Sequence, residues 1–89
     1  MYRIILTCEG VPTGEGAQAA ADITSEFQER RTWHENTLCS WDGFNLILKL
    51  ENDYDENGLA AQDEFSDCIS AYITQGVDGD IRVQSVVVF

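Results

Sequence analysis

Two hydrophobic periods alternate along this chain, and their order constrains its fold more than any other feature. Residues 2–8, 33–41 and 44–51 alternate with a period of two, interrupted on the apolar face only by Glu35 and Thr37, and this is the period of a strand with one buried face. Residues 81–89 are rich in valine, which favours a fourth strand. A helical period occupies residues 14–31 and again residues 57–74. The sequence therefore predicts the order strand, helix, strand, strand, helix, strand.

That order is typical of the split βαβ, or ferredoxin-like, arrangement, an antiparallel four-stranded sheet with both helices on one face. In folds of this kind the first and third strands are central, and here they are the two most apolar segments. The chain has 89 residues, of which 44% are hydrophobic, and this is enough for one packed core. We therefore predict an α+β plait that forms a single domain over residues 1–89.

The turn between the second and third strands is predicted at Asp42-Gly43, because Asp-Gly between two alternating runs is the strongest short-range hairpin signal. A two-residue turn would place Trp41 opposite Phe44 and define the core face of both strands. That face would hold Trp33, Glu35, Thr37, Cys39, Trp41, Phe44, Leu46, Leu48 and Leu50.

The sheet face without helices is predicted to be more apolar than contact with water requires. It would carry Arg3, Ile5, Thr7, Leu38, Ile47, Lys49, Arg82, Gln84, Val86 and Val88. Surfaces of this kind occur at dimer and partner interfaces, although half-buried strand residues account for such a pattern equally well. A homodimeric domain that binds a small ligand, paired through this open face, is therefore one alternative function.

Sixteen acidic and five basic residues give the chain a formal net charge of −11. A field of that sign repels phosphate backbones and anionic membrane surfaces, so we expect neither direct nucleic-acid binding nor membrane binding. No apolar run approaches the roughly 20 residues of a membrane span, and the N-terminus lacks the pattern of a signal peptide. We expect a cytoplasmic protein.

Nine of the acidic residues lie between Lys49 and Arg82, a stretch without a single basic residue. Six of them fall on a predicted loop and the helix after it: Asp53, Asp55, Glu56, Asp63, Glu64 and Asp67. We predict that these carboxylates bind a basic protein surface, such as the nucleic-acid-binding groove of a nuclease or defence protein. In physical character the chain would then be similar to immunity proteins, anti-defence inhibitors and DNA mimics. The plainer interpretation is that the charge only keeps a small domain soluble.

The loop also matches the calcium-binding pattern D-x-[DN]-x-[DN]-G-x5-E and resembles an EF-hand loop. The resemblance implies oxygen ligands from Asp53, Asp55, Asn57, the backbone carbonyl of Leu59, and Glu64. The segment before the loop reads as a strand instead of an entering helix, and the chain has no second loop to pair with. Acidic residues near a helix N-terminus are also favoured by the helix dipole alone. A calcium-binding module is thus a second alternative, and no other cofactor is expected.

Catalytic residues are not evident in the sequence. His34 is the only histidine, and no Ser or Cys stands near it along the chain. Cys8, Cys39 and Cys68 fall at apolar positions without a C-x-x-C pair, which is typical of buried structural cysteines. Trp33 and Trp41 are predicted to pack in the core or at its rim, with an exposed position beside the acidic region as the alternative for either. We expect a protein that is not an enzyme.

Overall fold

Four strands and two helices follow one another in the predicted order in a computed structural model that describes residues 1–77 and 79–89. The strands are β1 (Tyr2–Cys8), β2 (Glu35–Trp41), β3 (Leu46–Asn52) and β4 (Ile81–Val88). The helices are α1 (Thr13–Arg30) and α2 (Leu59–Tyr72). Asp78, one of the nine acidic residues of the predicted acidic stretch, lies outside the described residues.

The strand order in the sheet is β2-β3-β1-β4, and every neighbouring pair is antiparallel. The two central strands are therefore β1 and β3, and the predicted ferredoxin-like α+β plait is confirmed. The alternating apolar residues of β1 and β3 explain why these two strands are central. Ile4 and Leu6 of β1 are fully buried, as are Leu48 and Leu50 of β3. Both helices complete this core with apolar stripes, α1 through Ile23 and Phe27 among others, and α2 through Phe65 and Ile69.

The hairpin between β2 and β3 differs from the predicted one. Trp41 pairs with Leu46 instead of Phe44, so the connection has four residues, and Phe44 is 80% exposed. The Asp42 carboxylate causes the difference, because its Oδ1 accepts N–H bonds from Phe44 at 2.8 Å and Asn45 at 2.6 Å and closes a longer turn. Since the shift is two residues, the other core positions of β3 keep their predicted face.

The start of β2 also differs from the prediction, which included Trp33 and Glu35 on the core face. The N–H of His34 donates to the carbonyl of Arg31 at 3.2 Å, so the chain turns here and the strand begins only at Glu35. This turn exposes Trp33 and Glu35 and buries His34. A bulge follows, with Asn36 at a φ of +50°, a left-handed conformation that asparagine tolerates.

A second bulge changes the open face of the sheet. Between Ile5 and Leu6 the pairing with β4 shifts by one residue, so Val86 lies opposite Ile4 and Val88 opposite Tyr2 on the helix side. The prediction that these two valines lie on the open face was therefore wrong, and Val87 takes that face instead. The residues of β4 that precede the bulge lie on the sheet faces that the sequence predicted.

Candidate docking surface

Asp55 is part of the fold, because its carboxylate caps helix α2. It is only 4% exposed, and its oxygens accept the N–H groups of Ala60 at 3.2 Å and Ala61 at 2.9 Å. The residue in the N-cap position is Gly58, which has a φ of +78° and no side chain with which to cap. Asp55 supplies the missing acceptor from three residues upstream. Both of its oxygens are therefore committed within the chain.

Asn52 organises the loop before α2. It is 2% exposed, and its Oδ1 accepts the N–H groups of Tyr54 at 3.2 Å and Asp55 at 2.9 Å. Because Oδ1 is the acceptor of two backbone bonds, the amide nitrogen must be the atom that faces Nδ1 of His34 at 3.2 Å. Nδ1 of His34 is therefore an acceptor, and the ring proton lies on Nε2.

The protonated Nε2 of His34 donates to Oε2 of Glu64 at 2.6 Å. The other carboxylate oxygen, Oε1, accepts from Nη1 of Arg31 at 3.2 Å. We name Arg31, His34, Asn52 and Glu64 the His34 network. The network connects the end of α1, the end of β3 and helix α2, and the His34 side chain within it is fully buried. Glu64, like Asp55, serves the fold.

Three of the five predicted calcium ligands have other partners in this structure, whereas the carboxylate of Asp53 has none among the described residues. Both oxygens of Asp55 accept backbone N–H bonds, Glu64 belongs to the His34 network, and Oδ1 of Asn57 accepts the N–H of Leu59 at 3.4 Å. Among residues 1–77 and 79–89, no group of three or more His, Cys, Asp or Glu side chains is arranged to hold a metal ion. Calcium would have to displace these bonds, and its binding stays a prediction.

Four of the six predicted partner-binding residues are exposed and lie on the loop and on helix α2: Asp53, Glu56, Asp63 and Asp67. Within the described part of the chain, their carboxylates have no hydrogen-bonding or ionic partner. Asp63 and Asp67 are one helical turn apart on the solvent side of α2, away from its buried stripe of Phe65 and Ile69. Both carboxylates are therefore exposed to solvent.

Two half-exposed aromatic residues flank the buried ring of His34. Trp33 is 52% exposed, with its ring centroid 5.8 Å from that of His34, and Tyr54 is 50% exposed and stacks on His34 at 6.2 Å. The predicted core position of Trp33 is thus replaced by the alternative, an exposed position beside acidic residues. We give the name docking surface to the exposed aromatic and acidic residues of the turn before β2, the start of β2, the loop after β3 and helix α2: Trp33, Glu35, Asp53, Tyr54, Glu56, Asp63 and Asp67.

A cleft of about 170 Å³ opens at one end of this surface. Its lining residues come from the chain N-terminus, the turn before β2, and the end of β3: Met1, Thr32, Trp33, Glu35, Asn52 and Asp53. Asn52 is held there by the His34 network, so part of the cleft wall is fixed by buried hydrogen bonds.

Three of the five basic residues lie on the open face of the sheet, on the other side of the fold from the helices. Arg3 binds Glu51 at 2.8 Å and lies over the ring of Phe89, while Arg82 is 3.6 Å from Asp80. Lys49 pairs with Ile5 in the same face. These three basic residues therefore lie on the open face, whereas every exposed charged side chain of α2 and its preceding loop is acidic.

The cysteines are buried, as predicted, and carry unreactive thiols. Burial raises the pKa of the Cys39 thiol to about 12 and those of the Cys8 and Cys68 thiols to about 11. A thiol with such a pKa stays protonated at neutral pH and is a poor nucleophile. The cysteines act as core residues.

Comparison with protein-family models, with curated proteins and with solved structures yields no match for this chain. In the part of the chain that the structure describes, neither helix has the length and apolar character needed to cross a membrane.

Proposed function

We propose that this chain is a small acidic interaction protein that binds a basic surface of another protein through its docking surface. The observation that carries the proposal is the combination of four exposed, unpartnered carboxylates with two half-exposed aromatic rings that a buried hydrogen-bond network holds in place. Aromatic anchors contribute binding energy at low entropic cost, and charges around them set orientation and association rate.

The partner we propose is a protein that handles nucleic acid, such as a nuclease or a defence protein. Grooves that bind phosphate backbones are lined by Lys and Arg, and a chain of net charge −11 is complementary to them. The chain would act as an inhibitor that occludes the groove, in the manner of an immunity protein or a DNA mimic, and needs no catalytic group for this role. Binding should weaken with salt, because screening acts over about 8 Å at physiological ionic strength.

The residues assigned to binding differ from the six that the sequence indicated. Asp55 and Glu64 are committed to the helix cap and the His34 network, so we assign them to stability. Trp33 and Tyr54 join the binding set because their exposed rings lie beside Asp53. The sequence signals for these two aromatics were weak, since the exposure of Trp33 depends on the turn before β2 and that of Tyr54 on the loop that Asn52 organises.

The experiment compares two double charge reversals of equal size. In Asp63→Lys/Asp67→Lys the reversal lies on the docking surface, and in Asp22→Lys/Glu29→Lys it lies on the solvent side of α1. Proteins captured from a cell extract at physiological salt are identified, purified, and tested for direct binding and for competition with duplex DNA. We expect the α2 variant to bind at least about tenfold more weakly than the α1 variant.

Two results would contradict the proposal. In the first, both variants lose the same affinity for every purified partner, which would indicate a general charge effect without a docking surface. In the second, the purified partner binds duplex DNA and this chain at the same time, which would exclude occlusion.

A further inference from the structure

We infer that the cleft beside Trp33 is a subsite for one guanidinium group, the side chain of an arginine on the basic partner. This inference rests on the proposed function and names the chemistry that the docking surface recognises. The argument uses the size of the cleft, the side chains that line it, and the buried bonds that fix its wall.

The size of the cleft favours a single side chain over a free ligand. Sites for drug-sized molecules occupy about 300–1,000 Å³, whereas this cleft has a volume of about 170 Å³. A cofactor or metabolite of ordinary size would stay largely in solvent. An extended side chain from a docked protein would fill the space, with its backbone outside.

The lining favours a planar cation. Trp33, which is 52% exposed, lines the cleft together with the acidic residues Glu35 and Asp53. A cation over an indole ring is attracted by the ring quadrupole, and a guanidinium group can stack on that ring while it donates two parallel bonds to a carboxylate. Lysine offers a compact charge without the planar fork, so we expect arginine to be preferred.

The cleft is also preorganised in the free protein. Asn52 in its wall is fixed by bonds from the N–H groups of Tyr54 and Asp55 and by its contact with His34. Trp33 lies against the same buried ring of His34. The chain's own guanidinium groups nearby are committed, Arg3 to Glu51 and Arg31 to Glu64. Binding therefore needs little reordering, which favours affinity.

The test uses hexa-arginine and hexa-lysine peptides as probes, with binding followed by NMR on the two indole N–H signals of the full chain. Trp41 is an internal control, because its ring packs against Gly16, in α1, and lies outside the cleft. We expect hexa-arginine to shift the Trp33 signal in a saturable way and to leave the Trp41 signal in place. Hexa-lysine should bind several-fold more weakly.

Two double variants remove the same charge from different places. Glu35→Gln/Asp53→Asn should weaken hexa-arginine binding about tenfold, and Asp22→Asn/Glu29→Asn should change it less than about twofold. The single variant Trp33→Leu should weaken it by about three- to fivefold, followed on backbone amides of the cleft. All of these positions are exposed or half-buried, and the remaining amide signals report whether the fold is intact.

The outcomes separate the subsite from the proposed function. Equal weakening by the two double variants, or equal affinity for the two peptides, overturns the arginine subsite and leaves the docking surface in place. If Asp63→Lys/Asp67→Lys weakens binding while the cleft variants do not, the subsite also falls and the surface stands. If hexa-arginine does not bind the wild-type chain even at low salt, both proposals fall.

Discussion

Replacement of Asp55 by alanine should destabilise this protein far more than the same change at Asp53, two residues earlier. The two residues carry the same charge on the same loop, yet Asp55 is 4% exposed and Asp53 is exposed. Asp55→Ala removes the acceptor for the N–H groups of Ala60 and Ala61 at the start of α2. Ala61 is fully buried, so its N–H would be left without a partner.

The expected cost follows from those two bonds. Loss of a helix cap costs about 0.5–2 kcal/mol, and a buried donor left unsatisfied costs about 1–3 kcal/mol more. We therefore expect Asp55→Ala to lower the free energy of unfolding by about 2–4 kcal/mol, a large part of the 5–15 kcal/mol typical of a small domain. The melting temperature should fall by about 8–30 °C in a domain of this length.

Urea denaturation followed by circular dichroism measures both variants under one set of conditions. Asp53→Ala should stay within about 0.5 kcal/mol of the wild type, because its side chain is exposed. Asp55→Asn, which keeps one acceptor oxygen, should fall between the two. If Asp55→Ala and Asp53→Ala unfold at the same urea concentration, the cap is not formed and the division of the acidic residues into structural and binding sets is wrong.

The remaining predictions concern the reactivity of the thiols, the loss of folding stability at acidic pH, and the effect of calcium. The three cysteines should not react with a thiol reagent at pH 8 in the native state, because burial raises their pKa values. All three should react after unfolding. Reaction of a native thiol within minutes would contradict this prediction. Hydrogen bonds from Asn36 and Arg3 lower the pKa of Glu51 below its ordinary value of 4.5, so Glu51 stabilises the fold above that pH and loses this contribution as the pH falls through its folded pKa. Between pH 5 and 3, Glu51→Gln should therefore lose less stability than the wild type, whereas the exposed control Glu29→Gln should lose as much as the wild type. Parallel curves for the two variants would refute the assignment. Millimolar calcium should leave the melting temperature unchanged, because the carboxylates of Asp55 and Glu64 already accept hydrogen bonds within the chain; a clear rise would show that calcium displaces them.

The strand and helix order was readable from the sequence because hydrophobic period is a local property. The positions of the two central strands followed from the same pattern, with β1 and β3 buried on their apolar residues. The deviations arose from single side chains and local turns that period cannot detect. Asp42 accepts two backbone N–H bonds and lengthens the hairpin, and the bulge opposite Ile5 moves Val86 and Val88 to the other face.

The candidate site was less accessible to sequence reasoning, because residues of one type have different roles. Asp53 and Asp55 look equivalent in the calcium pattern, but only Asp55 reaches the N–H groups of α2. His34 and Glu64 are 30 positions apart and meet only after the plait has formed. The sequence contains a single histidine, and none of its neighbours along the chain indicated its partners. It was therefore not predictable that His34 bonds to Glu64 and Asn52 and contacts two aromatic rings beside the acidic loop.

The most direct measurement of the central claim is an NMR footprint of this chain bound to a purified basic partner. We expect the signals of Trp33, the loop at residues 53–56 and the outer side of α2 to shift or broaden, and those of the open sheet face to remain. Perturbation centred instead on Ile5, Ile47 and Val87, with the acidic loop and α2 unchanged, would show that the open face binds the partner and would contradict the assigned docking surface.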